Sequence, residues 1–296
     1  MDFTPLSLDF SRDYGAFLSA TPEKAADYSF VNLWAWDGYR SYGTAVHGGV
    51  AWLRLLRPEP VYWAPVGNWA AVDWERALTE GFPGGAVFER VPLSLASAWS
   101  RSLPGRIEAE PQRSEWEYVY SLHELVELPG NRFHKKKNLL NQFTRTYDWR
   151  FEPLGPENIG EVLAMQADWC TWKNCAGSDG LAAENEAISR TFSAWEKLPG
   201  LMGGVLRVNG AIAAYTVAEA FTEDTLVIHF EKGNPEFKGI YQAVNQLFLE
   251  AAGSGFTWVN REQDMGDEGL RQAKLSYNPA RFVEKARVRF LGSGTR

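Results

Sequence analysis

Asn209-Gly210, set between the apolar runs 205–208 and 211–217, constrains the fold more than any other feature. Both residues accept positive φ, so the two runs are predicted to close a tight antiparallel hairpin. The hairpin sits inside a longer alternation. Residues 149–154 read as a strand, 157–169 and 183–198 as helices, and 226–231 as a strand. After them come a helix at 238–252, a strand at 256–260, a helix at 268–277 and a last strand at 281–290. Strands and helices alternating around one hairpin predict an α/β (α+β) fold, with mixed sheets flanked by helices.

The earlier part has the same character. A helix is expected at 8–20, a hairpin at 46–56 turning on Gly48-Gly49, a strand at 61–67, a helix at 73–80 and a strand at 84–91. The aromatic run 28–36 is expected to lead into the first sheet. Pro129-Gly130-Asn131 is the clearest boundary, because Pro and Gly interrupt both helix and strand. Two halves follow, 1–130 and 131–296, with a helix over 131–147 at the junction. In that helix Phe133, Leu140, Phe143 and Tyr147 recur at helical spacing, so one side is expected to pack on something.

Composition removes several classes. Hydrophobic residues are 45% of the chain, which excludes disorder. No run of roughly 18 apolar residues occurs, so no membrane-spanning segment is expected. Met1 to Pro5 has no basic start, and the expected location is cytoplasmic. The net charge of −7 means that an anionic partner needs a local basic cluster. Cys170 and Cys175 cannot complete a tetrahedral zinc site, so no metal is expected. Their spacing leaves a disulfide open, with a reducing compartment favoured. Gly-x-Ser-x-Gly, P-loop and His-Glu-x-x-His patterns do not occur.

Three segments carry candidate chemistry. Arg132, His134, Lys135, Lys136 and Lys137 gather five basic side chains at the start of the 131–147 helix, without an acid. Cations in a first turn oppose the macrodipole by about 0.3–1 kcal/mol each. A bound anion reverses that cost, which points to phosphate of tRNA or of a small acyl carrier. Next, polar residues crowd the end of the 256–260 strand. There Asn260 and Arg261 suit a carbonyl or carboxylate, and Glu262 or Asp264 suits proton acceptance; the alternative for Asp264 is a helix cap. Lastly, Lys274 and Tyr277 lie three apart on one helix face, where Lys274 suits an oxyanion. The strands ending at Glu231 and Asn260 are joined by one helical crossover and must be parallel. Glu231, Asn260, Arg261, Glu262, Lys274 and Tyr277 are therefore expected around one cavity.

The segments 28–34 (YSFVNLW), 133–138 (FHKKKN) and 264–279 (DMGDEGLRQAKLSYNP) resemble one family over nearly the whole chain. It is the uncharacterised bacterial family related to the C-terminal domain of phosphatidylglycerol lysyltransferase. The resemblance implies tandem acetyltransferase (GNAT)-like halves, the C-terminal one building most of the site. In the lysyltransferase relatives an aminoacyl group moves from tRNA to a lipid hydroxyl. The membrane-spanning portion of those enzymes is not in this sequence, so a lipid acceptor is not implied. The resemblance also implies splayed strands at the cavity and Tyr277 as general acid. It makes the junction around Gly239 the place where acetyltransferases cradle the coenzyme A pyrophosphate. Their pattern is Arg or Gln, two residues, Gly, one residue, then Gly or Ala. Here Glu236 and Tyr241 occupy the first and last of these positions, which disfavours coenzyme A. The expected activity is acyl or aminoacyl transfer to an amine or hydroxyl of a small-molecule acceptor. The donor is aminoacyl-tRNA, held by the local basic patch, in preference to acyl-coenzyme A. The alternative is a non-catalytic module of this fold that binds a small anionic or amino-acid ligand.

Overall fold

Polar side chains that cap backbone N–H groups set several element boundaries. The structure, a computed structural model, describes residues 1–57 and 60–293. The chain divides into two compact units: Met1–Glu117 with Gln263–Glu268 and Phe282–Arg296, and Tyr118–Glu262 with Gly269–Arg281.

The first unit runs β1 (Thr4–Pro5), α1 (Ser11–Ala20), α2 (Phe30–Arg40), β2 (Tyr42–His47), β3 (Val50–Leu55), β4 (Val61–Trp63), β5 (Val66–Gly67), α3 (Trp74–Gly81), β6 (Ala86–Pro92), α4 (Leu93–Ser102) and β7 (Ile107–Pro111). The expected Gly48-Gly49 hairpin is present as β2–β3, with both glycines at positive φ. Asp73 caps α3 by accepting from the Arg76 N–H. The aromatic run 28–36 leads into the first sheet as expected: most of it is α2, which β2 follows directly. Ser29 caps that helix by accepting from the Asn32 N–H, and Phe30, Val31, Leu33 and Ala35 are all buried. A helix buried on most sides shows no clean amphipathic period, so the run carries little local sign of its helical state. Trp52, Phe82, Phe88, Trp74 and Trp99 pack ring to ring as the unit's aromatic core.

The chain continues through β8 (Glu117–Ser121), α5 (Leu122–Glu127), α6 (His134–Thr146), β9 (Trp149–Pro153), α7 (Ile159–Lys173), α8 (Asp179–Ser193), β10 (Leu201–Val208), β11 (Ala211–Ala220), β12 (Thr225–Gly233), α9 (Ile240–Ala252), β13 (Trp258–Asn260), α10 (Glu268–Leu275), β14 (Arg281–Val283) and β15 (Lys285–Phe290). The expected single strand at 281–290 is two strands in two sheets. One sheet has the order β1-β2-β3-β4-β6-β15-β7, with β5 paired to β3; the other has the order β14-β8-β13-β12-β11-β10-β9. The Asn209-Gly210 turn joins β10 and β11, with φ of 51° and 85°. Cys170 and Cys175 are joined as a disulfide, the alternative that the expected reducing compartment disfavours.

Helix α6 uses the face that its spacing predicts. Phe143 enters a core with Leu206, Val208, Ala214, Ile240, Ala243 and Val244, and Leu140 and Tyr147 pack at the edge. Gly239, at φ +91°, sits so close to α6 that a Cβ would lie 2.3 Å from the Leu139 carbonyl oxygen. Left-handed backbone and a backbone clash then act together. Gly239→Ala is expected to cost roughly 2–4 kcal/mol, read as a lower urea midpoint at unchanged m-value; a loss below about 1 kcal/mol would show that α6 yields freely.

Candidate active site

Parallel strands β12 and β13 pair only from Thr225↔Trp258 to Val227↔Asn260. Beyond that point β12 runs on to Gly233, while the chain after Asn260 turns away. The side chains expected at this opening belong to the second unit, apart from Asp264. Arg261 Nη2 donates to Glu231 Oε1 at 3.0 Å, and Asn245 Nδ2 donates to Glu231 Oε2 at 3.0 Å. The Arg261 guanidinium lies 5.0 Å from the Tyr277 ring centre. Gln242 Nε2 approaches the Tyr277 hydroxyl at 3.4 Å. Burial pushes the Tyr277 phenol up, with Arg261 opposing and Glu231 reinforcing the shift. It therefore stays protonated at neutral pH and keeps a proton to donate.

A tightly bonded turn holds Arg261 in place. Asn260 Oδ1 accepts from the Glu262 N–H at 2.8 Å, and Glu262 takes a left-handed φ of 56°. Lys274 Nζ donates to the Arg261 carbonyl, and to that of Glu262 at 3.1 Å. Asn260 and Lys274 thus meet the backbone of the turn. The Glu262 carboxylate faces His229 Nδ1 at 3.0 Å, and His229 Nε2 faces Glu219 Oε2 at 3.0 Å. Sequence reasoning missed His229. Its only signal was one imidazole within the otherwise apolar stretch 226–230.

The basic run divides by position. Arg132 bonds Glu124, and Lys137 Nζ reaches the Glu127 carbonyl at 3.4 Å. His134 and Lys135 are exposed. Lys136 is half-buried, with Nζ 4.2 Å from the Tyr277 ring centre. Burial, then the Arg261 charge, pull the Lys136 amine below its ordinary value. One residue of the expected anion-binding helix therefore stands beside the residues expected to do chemistry.

Two expected site residues lie elsewhere. Asp264 is fully buried in the first unit, where it bonds Arg113 and accepts from the Gly266 N–H. Gly239 faces α6. The loop before α9 has its amides occupied: Asn234 N–H by the Ala213 carbonyl, Glu236 N–H by Asn234 Oδ1, Phe237 N–H by the Asn234 carbonyl, Lys238 N–H by the Tyr147 hydroxyl and Ile240 N–H by the Phe237 carbonyl. A pyrophosphate cradle draws on amides of this kind, and these five are already bonded.

The first unit closes its corresponding opening. Parallel strands β4 and β6 pair at Tyr62↔Phe88 and Trp63↔Glu89, and Arg90 follows at φ +55°. Arg90 bonds Asp27 and, at 3.2 Å, Glu115. Lys285 bonds Asp27 and, at 2.9 Å, Glu117. The two Glu117 oxygens accept from the Ala26 N–H at 3.0 and 2.9 Å. Burial alone would raise the Asp27 carboxyl, but Arg90 and Lys285 outweigh it and hold it well below its ordinary value.

The family described as phosphatidylglycerol lysyltransferase, C-terminal, matches residues 19–288. The chain belongs to this family. It is an aminoacyl or acyl transferase family, and the expected α/β fold of two mixed sheets flanked by helices is the fold found. A conserved protein of unknown function from Bacteroides thetaiotaomicron is 30% identical, with 98% of this chain and 99% of that one superposed at a TM-score of 0.91. A domain from Agrobacterium fabrum, described as the C-terminal domain of a lysylphosphatidylglycerol synthetase, shares the fold. It is 14% identical, and 95% of this chain and 90% of that one superpose at a TM-score of 0.66. An uncharacterised protein of Mycoplasmoides gallisepticum is 21% identical over 183 residues, which span 60% of this chain and 57% of that protein. Among the described residues of this family member, no helix is long and apolar enough to cross a membrane, and no cluster of His, Cys, Asp and Glu is arranged to hold a metal ion.

Proposed function

We propose that the chain moves an aminoacyl group from a tRNA ester to an amine or hydroxyl acceptor at the Arg261–Tyr277 cluster. The observation that carries this reading is Lys136, which joins the basic face of α6 to that cluster at 4.2 Å from the Tyr277 ring. Phosphates held by Lys135 and Lys137 would lead the terminal ester of a tRNA to Tyr277. The occupied amides before α9 argue against a coenzyme A thioester as donor.

In this reading the acceptor lone pair attacks the ester carbonyl carbon. The acceptor's proton passes to Glu231, and the Arg261 guanidinium stabilises the oxyanion. The ester C–O bond then breaks, and the leaving ribose oxygen takes the Tyr277 proton. Positioning and oxyanion stabilisation supply most of the rate, with proton transfer adding about 10²–10⁴-fold.

Purified protein given labelled aminoacyl-tRNAs or acyl-coenzyme A, each with a mixed amine and hydroxyl acceptor pool, tests the reading. Label is expected to leave only the tRNA. Exclusive use of acyl-coenzyme A, or none of any aminoacyl-tRNA, overturns it. Lys135→Ala with Lys137→Ala is expected to weaken tRNA binding more than tenfold near 50 mM salt. The slope of log K against log salt should fall by about one per lysine removed. Both side chains are exposed, so the melting temperature should stay within about 2 °C.

A further inference from the structure

We infer that His229 is a positioning residue: its imidazolium ties Glu219 to Glu262 and so fixes the turn that presents Arg261 to Glu231 and Tyr277. The inference rests on the transfer reading for the word positioning, but its geometry stands apart from it. The His229 side chain is fully buried, and its two nitrogens lie 3.0 Å from two different carboxylates. A neutral imidazole donates from one nitrogen only, so one of the two carboxylates would then face a lone pair. Only the doubly protonated ring satisfies both contacts.

The Glu262 carboxylate belongs to a residue at φ +56°, a conformation that costs a side-chain-bearing residue energy unless its surroundings impose it. Asn260 and Lys274 secure the backbone of the turn. His229 is the group on β12 that secures its side chain, two residues before Glu231 on the same strand. The β11–β12 register shifts between Val217↔Phe230 and Ala218↔Ile228, so His229 is the extra residue of a bulge on β12, and through Glu262 that bulge sets where Arg261 can reach.

The charged groups facing the ring are Glu262 on the turn and Glu219 on β11. Burial alone would lower the His229 value, but hydrogen bonds to the two carboxylates outweigh it and raise it to about 9. A raised histidine contributes stability that is complete below its unfolded value of about 6.5 and is lost as pH rises through about 9. The turn is thus clamped throughout the neutral range and loosens only in alkali.

The test is nitrogen NMR of the full chain labelled at histidine and arginine, with the His229 signals assigned by their loss in His229→Gln. At pH 7.5 both His229 ring nitrogens are expected to be protonated, with titration near pH 9. The Arg261 guanidinium, held by Glu231, should show slow rotation of its terminal nitrogens. Glu262→Gln should lower the His229 titration point and release Arg261 to fast rotation while the backbone spectrum stays native. If His229→Gln fails to fold, Glu262→Gln carries the test, since Glu262 is partly exposed. A neutral His229 at pH 7.5, or an unchanged Arg261 signal in Glu262→Gln, overturns the inference. Failure of the wild-type protein to use any aminoacyl-tRNA overturns the transfer reading and leaves these signals as they are.

Discussion

Lys285→Met is expected to lose about 3–5 kcal/mol of stability, a large share of the 5–15 kcal/mol typical of a folded domain. Lys285 and Glu117 are wholly buried and Asp27 is nearly so. Removing the ammonium takes from Glu117 its buried cation and takes from Asp27 one of its two. An apolar replacement of similar length fills the space but neutralises nothing, so the cost is that of stranded charge. The sign with pH follows. Without Lys285 the Glu117 carboxyl, already raised chiefly by its burial, rises further. A carboxyl whose folded value is raised favours folding more as it protonates, so the deficit should shrink as pH falls toward 5. Lys285→Met with Glu117→Gln should recover a substantial part of the loss at pH 7. Urea unfolding of the two variants checks this. A single variant within about 1 kcal/mol of the parent would mean that water enters and solvates the network.

Arg261→Met is expected to lower kcat/KM for aminoacyl transfer by about 10²–10³-fold, the usual effect of removing one oxyanion donor. The guanidinium reaches Glu231 from beside the Tyr277 ring. A lysine ammonium keeps the charge but not the planar fork, so Arg261→Lys should recover only a minor part. If Arg261 meets charge that develops during reaction, kcat falls with kcat/KM; if it only binds the donor, KM rises alone. Arg261→Met also leaves Glu231 without its cation. Melting curves of Arg261→Met alone and combined with Glu231→Gln show how much of the loss is one of fold. Unchanged kcat in a folded Arg261→Met protein would remove Arg261 from the reaction.

The sequence by itself determined what depends on neighbours along the chain. Asn209-Gly210 closes its hairpin because both residues accept positive φ. Phe143 and Leu140 reach the core because helical spacing puts them on one face. The single helical crossover between β12 and β13 makes them parallel. Tertiary structure decided what depends on distant partners. Segment 107–121 carries two short strands that local pattern left unassigned, and β7 pairs with β15 nearly 180 residues later. Strand period says which face is apolar; it does not say which strand lies alongside. Lys136 is one of three consecutive lysines, and only packing of α6 selects it to stand over Tyr277 while Lys135 and Lys137 stay exposed. Glu262 read as a proton acceptor, yet it lies against His229, more than 30 positions away in the chain. The partner of this carboxylate is supplied by the fold rather than by adjacent residues.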